Sequence, residues 1–301
     1  MLKEDSIYLK LSTTHDLVYD ATHVLLLDQL DDWNTGAFET FQDLAISSRP
    51  RPLTLDLLME KLHSPVGVNI HQPLRFKMWR GRGTPVRSLE FHAGAHPYTG
   101  IFHTQVDIRI ERDWVARNPE AAPRILERRF KDLARLIHPF QGHVHDTDDN
   151  SIQNIGNPRL IKRGFDVDVQ GPIALEDNPG RELSRGEFRY CVNWLTLFGP
   201  EMLKNLGQER VETAPAARVE ELDIDPAARK RPAEVVAERM SGTCATELRD
   251  APQRWHLLSL GGSPLQTSKF RPIQRAVREH LGLKKLAKDQ RYMLGYWQKK
   301  M

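Results

Sequence analysis

The sequence predicts an α+β fold: mixed or antiparallel sheets flanked by helices, either as two similar halves sharing one core or as one compact domain. Three observations predict it. Val106 to Glu111 alternates apolar and polar side chains, the period of a half-exposed strand. Leu126, Phe130, Leu133 and Ile137 recur at the spacing of one helical face. Each half of the chain then mixes one or two long helices with several short strands. The halves divide into 1–155 and 156–301.

Composition narrows the class. The chain has 301 residues, 40% hydrophobic and 28% charged, enough apolar material for a sizeable core. Lys and Arg number 43 against 40 Asp and Glu, a net charge of +3. So slight an excess does not indicate direct nucleic-acid binding, which needs clustered charge. The two cysteines, Cys191 and Cys244, fit a reducing compartment without a disulfide framework. The start, MLKEDSIYLKLSTTHD, has no signal-peptide pattern. No apolar run approaches the ~20 residues that span a bilayer. The expectation is a cytoplasmic protein without a membrane partner.

In the first half, Val24-Leu25-Leu26-Leu27 reads as a buried strand ending in Asp28, Asp31 and Asp32. Those aspartates suit a solvated, helix-capping loop better than a metal site. Ala37 to Ile46 has Phe38, Phe41 and Leu44 on one helical face, and Pro50 and Pro52 break it. Leu53 to Leu62 resumes as a helix with Leu55, Leu58, Met59 and Leu62 inward. Val66 to Pro85 reads as an irregular basic loop. Its Arg75, Lys77, Arg80 and Arg82 interleave with Phe76 and Trp79, a composition that also suits single-stranded nucleic acid. Val86 to His92 is a strand. The polar face of the next strand (Gln105, Asp107, Arg109, Glu111) meets water or a partner. Asn118 as cap and Pro119 as first residue open the helix to Ile137.

The segment GHVHDTDDN, Gly142 to Asn150, carries the one enzymatic suggestion. His143 and His145 alternate on a strand face, as two metal-ligating imidazoles would, and Asp148 stands as third ligand. The His-x-His-x-Asp-His pattern of metal-dependent hydrolases then fails: Thr147 replaces its Asp and Asp148 its last His. The competing reading is a strand end followed by an acidic, turn-rich loop through Asn157. Nucleophile-elbow, phosphate-loop and dinucleotide motifs are absent from the sequence. No catalytic residue and no cofactor is expected.

In the second half, Gly156 to Gly186 is a long excursion with a short strand at Phe165 to Val169. Tyr190 to Gly207, YCVNWLTLFGPEMLKNLG, is the organising stretch. Cys191 to Phe198 reads as a strand buried on both faces, with Asn193 and Thr196 as hydrogen-bonded core groups. Gly199-Pro200 ends it, and Pro200 starts a helix with Met202, Leu203 and Leu206 inward and Gly207 as its cap. Arg218 to Ile224 is a strand, Ala227 to Met240 a helix, and Thr243 to Leu248 and Trp255 to Leu260 strands. Gly261-Gly262 turns the chain. Pro272 to Leu281 is a helix with Ile273, Ala276, Val277 and Leu281 inward. The tail from Lys284 is basic, and its Tyr292, Met293, Leu294, Tyr296 and Trp297 need burial.

Val192-Asn193-Trp194-Leu195-Thr196, followed by Phe198-Gly199, Leu203 and Leu206-Gly207, resembles a segment of type VI secretion immunity proteins. Arg271 to Arg278, with Leu281-Gly282, resembles that family's closing helix. The resemblance implies a non-enzymatic protein that binds a co-encoded effector toxin and occludes its active site. The motif residues are structural, so no binding residue is carried over from them. A toxin acting on nucleic acid has a basic cleft, which an inhibitor meets with carboxylates. The candidates are Asp146, Asp148 and Asp149, and Glu220, Glu221, Asp223 and Asp225, with Asp28, Asp31 and Asp32 as a third cluster. The expected partner is a cognate effector, a nuclease of the cytoplasm. The aromatic tail suits a homodimer.

Overall fold

Ser6–Thr13 (β1) stands at the middle of the sheet because both of its faces have something to pack against. Ile7, Leu9 and Leu11 point to one side, and Ser6, Tyr8, Lys10 and Ser12 to the other. The structure is a computed structural model. It describes residues 6–15, 17, 26, 27, 29, 30, 33, 38–46, 49–62, 74–80, 85–95, 102–155, 178–185, 188–224, 254–283 and 285.

β1 pairs antiparallel with Phe102–Glu111 (β6) on one side and Gln141–Asp146 (β7) on the other. Outward from β6 follow Val86–Ala95 (β5), Leu74–Trp79 (β4), Thr40–Asp43 (β2) and the edge strand Arg51–Pro52 (β3). Outward from β7 follow Leu195–Phe198 (β10), Trp255–Ser259 (β12) and Arg218–Leu222 (β11). Among the described residues, ten strands thus form one antiparallel sheet, flanked by helices: an α+β fold. The sheet takes strands from both sides of residue 155.

The apolar face carries Leu9 opposite Ile108 and Val144, and Leu11 opposite Val106 and Gly142. The helix Ala121–Ile137 (α3) lies on it, burying Leu126, Phe130, Leu133, Ala134 and Ile137. Gly142 permits this closeness. A Cβ there would lie 2.6 Å from Leu11 Cδ2 and 3.0 Å from Phe130 Cζ. The opposite face is covered by the hairpin Leu183–Arg185 (β8) and Phe188–Tyr190 (β9) and by the helix Thr267–His280 (α7). Arg189 N–H donates to Gln141 Oε1 at 2.7 Å, and Gln274 Nε2 donates to the Val192 carbonyl at 2.7 Å.

Tyr190 to Gly207 forms as its sequence predicts, with a shorter strand. β10 is four residues long, wholly buried, and internal to the sheet between β7 and β12. Asn193 and Thr196 are core groups: the Asn193 N–H donates to Thr196 Oγ1 at 2.9 Å. Pro200–Leu206 (α5) begins at proline and buries Met202, Leu203 and Leu206. Gly207 ends it at φ 86°, a conformation that favours glycine. Gln208–Glu212 (α6) follows.

Several expectations are corrected. Leu26 and Leu27, expected in a strand, are helical. Ala37 to Ile46 has a helical period, but Thr40–Asp43 pairs with β4 and the sheet sets its conformation. The basic loop Val66 to Pro85 contains β4, whose Phe76 and Met78 are buried while Arg75 is exposed. Leu55–Leu62 (α1) buries Leu58 and Leu62 but exposes Leu55 and Met59. The polar face of β6 meets neither water nor a partner alone, since Asp107 is buried opposite Lys10. Asn118 ends the short helix Arg112–Arg117 (α2), and α3 starts after Glu120. The acidic loop after His145 is a helix, Thr147–Ile155 (α4). Phe165 to Val169, Ala227 to Met240, Thr243 to Leu248, Asp28, Asp31, Asp32 and the aromatic tail lie outside the described residues.

Candidate functional site

Asp146 makes α4 possible. Its Oδ1 accepts the Asp149 N–H at 3.0 Å, the bond of an N-cap to the third helical residue. Thr147, Asp148 and Asp149 therefore form the first turn, where carboxylates are favourable against the helix dipole. The turn also faces inward. Asp146, Asp148 and Asp149 are 1%, 7% and 5% exposed, so the carboxylates offered to a toxin by the sequence are turned into the protein.

Their partners are cations that sequence spacing does not connect to them. Arg112 reaches Asp146 Oδ2 through Nη2 at 3.1 Å and Asp148 Oδ2 through Nη1 at 3.1 Å. Arg271, from α7, forks onto both oxygens of Asp149. Gln153 Nε2 donates to Asp149 Oδ2 at 2.7 Å. These charge-assisted bonds outweigh burial and hold the Asp149 carboxyl well below the usual carboxylate range. Burial raises Asp146, against the opposing pull of Arg112.

His145 is fixed by the same group. Its Nδ1 accepts the Trp194 N–H at 3.0 Å, so the proton sits on Nε2 and is donated to Asp149 Oδ2. Both nitrogens are thereby engaged. His143, two residues earlier, lies 3.8 Å from Cys191 Sγ through Nδ1 and 3.9 Å from Glu182 Oε1 through Nε2. Asp148 points to Arg112 instead. His143, His145 and Asp148 share an element boundary but do not converge on a point. Among the described residues, no group of three His, Cys, Asp or Glu is placed to hold a metal.

Around His143 the face is polar and buried. Lys10 Nζ is 3.9 Å from Asp107, Tyr8 packs edge-on to the His143 ring at 5.3 Å, and Arg189 reaches Glu182 at 3.3 Å. Burial lowers His143 to about 4, with Lys10 and Arg189 acting in the same direction. Burial would raise Glu182, but His143, Arg189 and Lys10 outweigh it and lower it to about 2. His143 is neutral at neutral pH, so Arg189 and Lys10 are the cations that keep Glu182 ionised there. Burial pushes the Cys191 thiol and the Tyr8 hydroxyl well up, which leaves both protonated and unreactive.

The second acidic cluster lies at the β11 edge of the sheet. Glu220 and Glu221 have 40% and 52% exposed side chains, and Asp223 is exposed. Glu220 pairs with Lys131 at 2.7 Å and Glu221 with Arg254 at 3.5 Å. Asp225 lies outside the described residues. Among the described residues, no strand pairs with the outer side of β11.

No family model and no curated protein matches the chain. Among solved structures it is similar to the Pseudomonas aeruginosa T6SS protein PA0821, with a TM-score of 0.47 and 12% identity. The alignment covers 90% of this chain and 73% of that one. Among the described residues, no helix is long and apolar enough to cross a membrane.

Proposed function

We propose that this protein is an immunity protein, which binds a co-encoded type VI secretion effector and blocks its active site. The observation that carries this reading is the meeting of the two stretches that resemble the immunity family. They lie about 80 residues apart in sequence, yet Gln274 of the closing helix donates to the Val192 carbonyl at 2.7 Å. Arg271 and Trp194 are joined through Asp149 and His145. Of the residues that suggested a hydrolase, His145 belongs to this joint, together with Asp149. A scaffold built in this way presents a rigid surface, as an inhibitor that plugs an active site requires.

The effector is a nuclease that acts in the cytoplasm, and Glu220, Glu221 and Asp223 at the β11 edge face its basic cleft. Opposed charge of this kind speeds encounter more than it strengthens the final complex. Co-expression with the toxin encoded beside this gene tests the reading. The proposal expects restored growth and a complex that survives purification. Continued toxicity with no complex rejects it.

A further inference from the structure

Residues 178–182 are held to the body of the protein by side chains rather than by a strand ladder. They cross α4, where Asn178 Nδ2 donates to the Gln153 carbonyl at 3.1 Å and the Gly180 N–H donates to Gln153 Oε1. The Glu182 N–H donates to Asn154 Oδ1 at 2.6 Å, and Arg181 donates to the Asn154 carbonyl. From α7, Arg278 donates to the Asn178 carbonyl. β8 then pairs with β9, and among the described residues neither strand joins the ten-stranded sheet. Residues 178–185 thus form a strap laid over the polar face of the sheet.

Under the strap lies a row of charge. The strand register sets Asp107, Lys10 and His143 side by side on β6, β1 and β7. Glu182 reaches down from the strap to 3.9 Å from His143 Nε2, and it is held by Asn150 at 3.0 Å and Arg189 at 3.3 Å. His143 is buried, and its Nε2 makes no hydrogen bond among the described residues. It is faced by Lys10 and Tyr8 from β1, by Asp107 from β6, by Glu182 and Arg189 from the strap and hairpin, and by Cys191. Arg109 lies over the Tyr8 ring, 5.6 Å from its centre. Tyr8 and Cys191 are neutral, and Lys10 matches Asp107 in charge as Arg189 matches Glu182. A proton on His143 adds a cation to this buried balance.

We infer that the strap is opened by acid: protonation of His143 is accommodated by lifting residues 178–185 off the row, which admits water while β1, β6 and β7 stay paired. Burial, more than any neighbour, disfavours the charged ring and holds His143 at about 4 under the strap. Opening returns it to about 6.5, the value of a solvated histidine. The open state therefore binds the extra proton between those values. Closure is favoured above the window and weakens as pH falls through it. Glu182, held at about 2 under the strap, acts in the same direction below its solvated value of about 4.3. The strap yields before the sheet because its side-chain bonds to α4 can be lost without breaking a ladder. This device does not depend on a toxin.

Native-state hydrogen exchange of the full chain at pH 7 and pH 5, with each amide corrected for its intrinsic rate, tests the inference. The Gly180 and Glu182 amides are expected to exchange through a local opening, faster than the Leu9 and Leu11 amides of β1 and with a smaller urea dependence. Their opening constant is expected to rise about twentyfold from pH 7 to pH 5, the ratio set by proton uptake at about 6.5 when open and about 4 when closed. His143→Gln, which keeps a polar side chain but does not titrate, should abolish most of that rise. Asn154→Ala should raise strap opening about fivefold at both pH values and leave their ratio unchanged. Strap amides that exchange no faster than those of β1 overturn the inference, as does an opening constant that does not change with pH. A twentyfold rise that persists in His143→Gln places the proton elsewhere and also overturns it.

Discussion

Asp149 joins three elements through one carboxylate: His145 on β7, Gln153 on its own helix and Arg271 on α7. Removing it leaves the mostly buried Arg271 guanidinium without its carboxylate and the buried His145 imidazole without its acceptor. Asp149→Ala is therefore expected to cost about 3–5 kcal/mol, read as a fall in the urea midpoint. A change within error would mean that the network does not hold the closing helix. His143 gives a pH prediction. An unfolded histidine takes up a proton near pH 6.5, whereas folded His143 does so only at about 4. Its contribution is complete above pH 6.5 and is lost as pH falls from 6.5 towards 4, up to about 3 kcal/mol. His92 is also lowered to about 4, by burial and by His103, and acts in the same window. His143→Phe should flatten part of the loss in melting temperature across that interval; an unchanged slope would contradict the assignment. At this scale the sequence shows which residues are unusual but not what they meet. GHVHD marks His143 and His145 plainly, yet Glu182 reaches His143, and Arg112 and Arg271 reach the neighbouring aspartates, only through the tertiary fold.

Elements were legible where a local pattern and its tertiary surroundings agree. The alternation in β6, the period of α3 and the Pro–Gly bracketing of α5 each specify one conformation, and each forms. β2 was misread because Phe38, Phe41 and Leu44 match a helical period, while pairing with β4 makes Thr40–Asp43 a strand. The Asp and Asn of α4 suggest turns, yet the segment is helical. The available signal was Asp146 with Asp149 three positions on, a helix start of the capped kind. The apolar contacts of β7 and β10 make two further predictions. Gly142→Ala should cost about 1–3 kcal/mol, because the new methyl meets Leu11 and Phe130. Trp194 is 1% exposed, and its indole N–H donates to the Gly261 carbonyl at 3.0 Å. Trp194→Ala should cost about 3–5 kcal/mol in chemical denaturation. A Trp194 variant that kept its stability but lost its partner would make this stretch an interface rather than a scaffold.

For the whole molecule, the sequence conveys the α+β class and the antiparallel pairing but not the order of strands. Nothing local announces that β1 lies between β6 and β7, because that order follows from long-range burial of Ile7, Leu9 and Leu11. At a strand spacing of ~4.8 Å, the ten-stranded sheet sets its two edges roughly 40 Å apart. At the β11 end, Glu221→Lys should slow association with the toxin while leaving stability within about 0.5 kcal/mol, since an exposed ion pair contributes little. An unchanged association rate would remove this carboxylate from the binding surface. The most direct test of the central claim is the binding of this purified protein to an inactivated form of the toxin encoded beside it, measured by calorimetry. The immunity reading predicts a tight complex of fixed stoichiometry, and the absence of binding heat at any ratio would contradict it.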